Sequence, residues 1–403
     1  MKNFSLQQWL VIVVLALLTA LEPLSIDLYL PGFIDIAKAF STTIPSVQIS
    51  LSTFLGGFAV GQLLWGPLAD RWGRKKPILL SLLIFVVASV ACIYVRTVEQ
   101  LWVVRFIQAI GGCGGIVISR AVVTDYFDKT KTLKIFALLA LIMGVAPIIA
   151  PSIGNAVLSV FSWQGLFGAM AVLGAVLFLL TILFLPESSK RQASNKDANV
   201  VKDYLQILKV KKFTVYSLIA GIVNGALMIY VANGPFLIME KGGFSSDMFG
   251  LIFGINAFGL MIGSYLTNVL QKYIATNKLV RYALMFMLAV SIAMLGAIYA
   301  NVSIHIILVI LFFYIFPMGI LFPATTELAI TPFAGTRNSG SASALFGSVQ
   351  LLMAFFCSMG ANLISDGTVG AVGLSFALCS ILAFVIVFVK IAAQEGLRRQ
   401  SVH

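Results

Sequence analysis

The sequence predicts an all-α membrane protein: twelve transmembrane helices in two six-helix bundles, with both termini cytoplasmic. Three observations carry that expectation. The 403 residues are 60% hydrophobic and only 10% charged, with a mean hydropathy of +1.01, whereas a soluble domain carries about 25% charge. Twelve apolar runs can be read, near 9–30, 47–67, 77–95, 101–123, 133–158, 166–185, 213–237, 248–270, 282–300, 305–325, 338–363 and 369–391. Each approaches the ~20 residues that cross a hydrocarbon core as a helix. The most polar long connection, 187–212, divides them six and six. The expected organisation is therefore an N-terminal bundle over 1–186, a cytoplasmic linker over 187–212, a C-terminal bundle over 213–391 and a tail over 392–403.

Orientation follows from the lysines and arginines of the connections, which concentrate on the cytoplasmic side. With the N-terminus inside, 22 of the 27 basic residues fall on that side. Only Lys38, Arg96 and Lys241 fall outside, and Arg105 and Arg120 lie within a span. The net charge of +12 is thus read as an orientation signal, and no nucleic-acid partner is expected. The first run continues to Leu30 without a small-residue cleavage site, so a retained helix is expected in place of a signal peptide. Cys92, Cys113, Cys357 and Cys379 all fall inside apolar runs and read as small packing residues. His305 and His403 are too scattered for a metal site, and no metal-ligand spacing exists elsewhere.

The densest charge lies between the second and third runs. From Asp70 to Lys76, five charged residues fall within seven positions. Such a cluster cannot lie in hydrocarbon, so Gly66–Lys76 is expected to form a short solvent-facing hairpin.

Carboxylates inside a span need a wet cavity or a partner, because a centred charge costs ~2.5–3.5 kcal/mol on insertion scales. The first run carries two, Glu22 and Asp27, around Pro23. Asp27 is placed near the outer end, where an interfacial carboxylate reaching water is the alternative to a role in a cavity. Five residues rotate ~140° on an ideal helix, so the two acids should not share a face unless Pro23 distorts it. In the fourth run Arg105 and Gln108 are three apart and share a face. Arg105 reaches a depth similar to that of Asp27, and its permanent charge needs a carboxylate or water. Asp27 or Glu22 is the expected partner, with protonation switching the pairing. Arg120 is expected to snorkel to the inner interface, and the glycines around Cys113 to allow close helix packing.

In the fifth run Pro147 and Pro151 lie four apart, with Gly154 beyond. They should bend the helix, either as a static kink or as a gating seam. In the second half Asn224, Tyr230, Asn233 and Asn256 are candidate cavity groups, although neutral polar residues in spans often only bond a neighbouring helix. Glu327 is placed in a cytoplasmic loop after the tenth run. The chain contains no phosphate-binding loop and no nucleophile–base–acid set, so neither ATP-driven transport nor catalysis is expected.

The ordered motifs resemble the Bcr/CflA drug-resistance family of the major facilitator superfamily, in its twelve-helix drug:proton antiporter group. The matching stretches are Pro23–Pro31, Gly61-Gln62 with Gly66–Lys75, Arg105–Ala109 with Arg120–Asp125, and Ala146–Gly154; Ala334–Thr336 fits more weakly. The resemblance implies a major facilitator fold and proton-driven export across a bacterial inner membrane by alternating access. It assigns proton coupling to Asp27 and Arg105, to which the composition adds Glu22. It assigns a conformational latch to Gly66, Asp70, Arg71, Gly73 and Arg74, while gating by Pro147, Pro151 and Gly154 is read from those residues themselves. The expected substrate cavity comprises Glu22, Asp27, Tyr29, Arg105, Gln108, Tyr230, Asn233 and Asn256. Glu22, Thr124 and Gln164 depart from the family pattern. Glu22 would then be a second proton site or a determinant of cationic substrates.

The expected partners are a small-molecule substrate and the lipid bilayer; the protein is expected to act as a monomer, with a proton as coupling ion and no other cofactor. Dedicated export of one metabolite, such as a siderophore or another organic acid bound by Arg105 and Arg120, is the alternative. Proton-coupled uptake is a third reading. A non-transporting sensor, expected to carry an appended soluble domain, fits least.

Overall fold

Where no water can satisfy backbone N–H and C=O groups, a span must satisfy them internally, and the apolar runs do so as helices. In the computed structural model, residues 5–188, 200–333, 336 and 339–400 are described. Among these residues, twelve helices are long and apolar enough to cross a membrane. In chain order the α-helices are α1 (Leu6–Asp27), α2 (Phe33–Ala39), α3 (Ile44–Trp72), α4 (Lys75–Tyr94), α5 (Val98–Tyr126), α6 (Lys129–Leu158) and α7 (Gln164–Phe184). They continue with α8 (Val200–Leu208), α9 (Lys211–Pro235), α10 (Ser246–Leu270), α11 (Thr276–Tyr299), α12 (Ile304–Ile330), α13 (Ser339–Ile364) and α14 (Val369–Gln400).

Capping residues mark where helices begin. Ser5 Oγ accepts the Gln8 N–H while Gln8 Oε1 accepts the Ser5 N–H, a reciprocal box at the start of α1. Thr97 accepts from Gln100 N–H at the start of α5. Large apolar side chains such as Val87, Val172, Leu183 and Phe258 are exposed on the outer helix faces, as lipid-facing surfaces require.

Several boundaries differ from the sequence reading. The first span does not stop at Leu30: a 3₁₀ turn at Leu30–Gly32 passes directly into α2, and the whole crossing runs Leu6–Ala39. The expected hairpin at Gly66–Lys76 is helical almost throughout, because α3 continues to Trp72 and α4 begins at Lys75. Glu327 lies inside α12, not in a loop. The linker contains α8, and α14 extends past Ile391 into the expected tail. Residues 189–199 of the linker, Ala334, Gly335 and the end of the tail lie outside the described residues.

The chain forms two compact units, Met1–Val200 with Ser245–Gly254, and Val201–Phe244 with Ile255–His403. In the first, α5 is the central helix and packs on α3, α4 and α1. Glycine makes that approach possible: a Cβ on Gly57 of α3 would overlap the Phe106 carbonyl, and one on Gly111 would overlap the backbone of Phe85. This agrees with the packing role read for the α5 glycines. In the second unit α9 is central and packs on α12, α13 and α14.

Candidate functional site

The site is built where the first span breaks. Pro23 lies inside α1, which ends at Asp27. Twelve further residues lead to Ala39, so Asp27 is not at the outer end of the crossing. Its side chain is buried, with 4% of the residue exposed. It makes no hydrogen bond or ion pair among the described residues, and its burial counts against the interfacial alternative. Gly154 of α6 seats the break: a Cβ there would overlap the Leu28 carbonyl. Pro151 is buried on the same helix and Pro147 is half-buried.

Arg105 is the most deeply enclosed charge, with 0% exposure. The expected carboxylate partner is absent: among the described residues no acid lies within ion-pair distance of its guanidinium. Nη1 donates to Gln108 Oε1 at 2.6 Å and Nη2 to the Ser25 carbonyl at 3.1 Å. Ser25 sits in the last turn of α1, where carbonyls without helical partners carry the negative end of the helix dipole. Three rings complete the enclosure, with centroids at 4.7 Å for Tyr29, 4.2 Å for Phe54 and 5.9 Å for Phe167. Desolvated cation–π contacts contribute ~2 kcal/mol or more each, which offsets part of the cost of burying the charge. Nε has no partner.

A polar chain holds these groups in place. Gln108 Nε2 donates to Ser89 Oγ at 2.7 Å and to Met170 Sδ at 3.6 Å. Ser50 Oγ donates to the Val47 carbonyl at 2.6 Å. The 2.7 Å bond between Tyr29 and Ser50 therefore takes its proton from the Tyr29 hydroxyl. Arg105→Lys should insert and keep the charge, but an ammonium lacks the planar fork that spans Gln108 and Ser25 while lying on Phe54. Loss of one charged hydrogen bond costs about 1.5–3 kcal/mol. The expected result is a lower thermal unfolding midpoint in detergent for this variant.

Glu22 is half-buried, and its charge interacts with those of Asp27 and Arg120. Arg120 is exposed. In the second unit Asn256 Nδ2 donates to Tyr230 OH at 2.9 Å, joining α10 to α9. Asn233 Nδ2 donates to the Ile229 carbonyl at 2.9 Å. Both of these bonds lie within the second unit. Glu327 of α12 accepts hydrogen bonds from Gln271 Nε2 and Thr276 Oγ1.

The charge cluster after Gly66 is organised around Arg74. Nε donates to Asp125 Oδ2 at 2.8 Å and Nη1 to Asp70 Oδ1 at 2.6 Å. Burial opposes the guanidinium charge, but the hydrogen bonds and charges of Asp125 and Asp70 raise its pKa above the ordinary arginine value. The Glu187 carboxylate accepts the Arg74 N–H at 2.7 Å and the Lys75 N–H at 3.1 Å, so it caps the start of α4, where a negative charge is favoured. Gly73, at φ +87°, makes the turn, and a Cβ there would strike this carboxylate. Lys75 Nζ donates to the Ile182 carbonyl near the end of α7 at 2.8 Å. The ends of α3, α4, α5 and α7 are thereby clamped together. Arg71 is exposed and joins no ion pair, and nothing lies within 4 Å of a Cβ on Gly66. Asp125 and Glu187 were missed as partners. Asp125 closes the Arg120–Asp125 motif that the sequence displayed; for Glu187, 113 residues from Arg74, no local signal existed.

The membrane-length helices define a multi-pass membrane protein. The family model described as Major Facilitator Superfamily matches residues 15–358, and the chain belongs to that superfamily of transporters. It is 32% identical over 376 residues to the uncharacterized MFS-type transporter YdgK of Bacillus subtilis (strain 168), covering 92% of this chain and 93% of that protein. It is 29% identical to the bicyclomycin resistance protein homolog of Haemophilus influenzae, over 68% of this chain and 69% of that one. It is 28% identical to the multidrug transporter MdfA of Yersinia pestis, over 81% and 80%. Among solved structures, a D-xylose-proton symporter superposes with a TM-score of 0.79 at 14% identity, covering 94% of this chain and 97% of that one. That likeness concerns the fold alone.

Proposed function

We propose that this chain is a proton-coupled exporter of small organic molecules, of the Bcr/CflA drug-resistance type, in a bacterial inner membrane. In this reading it is not an enzyme, works as a monomer and has both termini cytoplasmic. Alternating access operates between bundles over 1–186 and 213–391. The observation that carries the reading is the Arg105 guanidinium, fully enclosed and held, among the described residues, by neutral groups, in the same unit as a buried Asp27.

A buried arginine keeps its charge, so the group free to change state is the carboxylate. Protonated, Asp27 is neutral and tolerates its apolar surroundings. Ionised, it gains from moving toward Arg105, which would exchange the Ser25 carbonyl for a carboxylate. That exchange couples protonation to the position of the break in the first span. Half-buried Glu22 adds negative charge on the same helix and supports a preference for cationic substrates over the organic acids of the alternative reading. The names of the relatives from Haemophilus influenzae and Yersinia pestis support drug export. The test is a panel of cationic, neutral and anionic compounds added to everted vesicles holding an acid interior. A substrate should discharge the proton gradient only when the protein is present. Discharge by organic acids alone would favour the metabolite exporter, and no discharge by any compound would count against proton coupling.

A further inference from the structure

We propose that α8 and the lysines that follow it form an interfacial anchor binding the anionic phospholipid headgroups of the membrane surface. The nine residues Val200–Leu208 are too few for a stable isolated helix, since helices shorter than ~12–15 residues are marginal in water. The helix therefore needs apolar cover, and among its described side chains that cover is uneven. Ile207 is 1% exposed, whereas Leu205 is 57% and Leu208 38% exposed.

Charge is distributed to match. At ~100° per residue, Lys202 falls about 60° from Leu205, on the far side of the exposed edge, and Lys209 directly follows the helix. Asp203, the one acid from 200 to 212, falls instead about 40° from the buried Ile207. Lys202, Lys209, Lys211 and Lys212 are all exposed. An apolar edge flanked by lysines suits an acyl–headgroup boundary, with the stems covering apolar surface and the ammonium groups reaching phosphates.

Position completes the argument. Only Lys209 and Val210 separate α8 from α9, which opens a membrane-crossing segment at Lys211. The Thr214 hydroxyl of α9 donates to the Leu208 carbonyl at 2.6 Å, fixing the end of α8 to the first turns of that span. The exposed edge is thus held at the level where the span leaves hydrocarbon.

The experiment uses the full chain with its four cysteines replaced, Leu205→Cys spin-labelled, in vesicles of phosphatidylcholine alone or mixed with phosphatidylglycerol. Collision rates with oxygen and with a water-soluble nickel chelate report immersion. In phosphatidylglycerol vesicles the oxygen-to-nickel ratio should rise severalfold over phosphatidylcholine alone, and fall back with Lys202→Gln/Lys209→Gln or with high salt. A label at Gln206→Cys, on the polar face, should stay nickel-accessible in both. The proposal is overturned if the 205 label is equally nickel-accessible in both lipids. It is equally overturned if that label is shielded from both reagents, which would mean that protein covers the edge.

Discussion

Asp27→Asn is expected to insert, fold and bind substrate while losing the coupling of efflux to a proton gradient. The amide matches the carboxyl in size but cannot take or release a proton at physiological pH. Because Asp27 is buried and makes no hydrogen bond or ion pair among the described residues, removing its charge breaks no contact, so expression and thermal stability should be retained or improved. The loss should fall on energy transfer. One proton crossing a 100 mV potential releases ~2.3 kcal/mol, enough at ~1.4 kcal/mol per factor of ten for a roughly 50-fold gradient of a neutral substrate. In everted vesicles the variant should drop from such accumulation to simple equilibration, while exchange of labelled for unlabelled substrate without a gradient continues. Glu22→Gln is the companion measurement. If Asp27 alone carries the proton, Glu22→Gln keeps pH-driven accumulation and changes only the preference among substrate charges. Full accumulation by Asp27→Asn would remove this residue from the coupling step.

Hydropathy read the twelve crossings well because the hydrocarbon core imposes a length and a composition on each. It read the ends poorly, because a helix that has left the membrane no longer needs apolar residues. Hence α3 runs through Asp70 and Arg71 to Trp72, a stretch that composition marks as loop. The first crossing failed in the opposite way. Tyr29-Leu30-Pro31-Gly32 carries turn residues, and the chain does turn there, but it then resumes as α2, which places Asp27 deep inside the crossing.

The ionisable groups themselves were legible as anomalies in apolar surroundings; their partners were not. Arg105 was given a carboxylate because a lone buried cation is costly. The structure instead meets the cost with Tyr29, Phe54 and Phe167, aromatic residues from three different parts of the fold that no helical period brings together. Tyr230 and Asn256 were each legible as polar residues in a span, yet their mutual hydrogen bond depends on the register of α9 against α10. That register is set by packing, which the sequence does not display.

Arg74→Ala should shift the balance between inward- and outward-facing forms by tenfold or more, and the order of effects among its partners tests the clamp. The Asp70 side chain is 70% exposed, that of Asp125 26%, and that of Arg74 16%. Water and salt screen the Asp70 pair, and exposed pairs contribute ~0–1 kcal/mol. The less exposed Asp125 bond belongs to the class of charged hydrogen bonds contributing about 1.5–3 kcal/mol. Asp125→Asn should therefore disturb the balance more than Asp70→Asn, although both carboxylates bind the same guanidinium. Glu187→Gln should fall between them, because it keeps an acceptor for the start of α4 but loses the charge favoured at a helix N-terminus, about 0.3–1 kcal/mol. Spin-label distances across the helix ends on the Arg74 side would give the populations. If Arg74 and Asp125 act as one unit, the double variant Arg74→Ala/Asp125→Asn should shift them no further than the stronger single change. Strict additivity, or an Asp70→Asn effect as large as that of Asp125→Asn, would count against the clamp as a conformational latch. The charges near Gly73 would then serve the stability of the first unit alone.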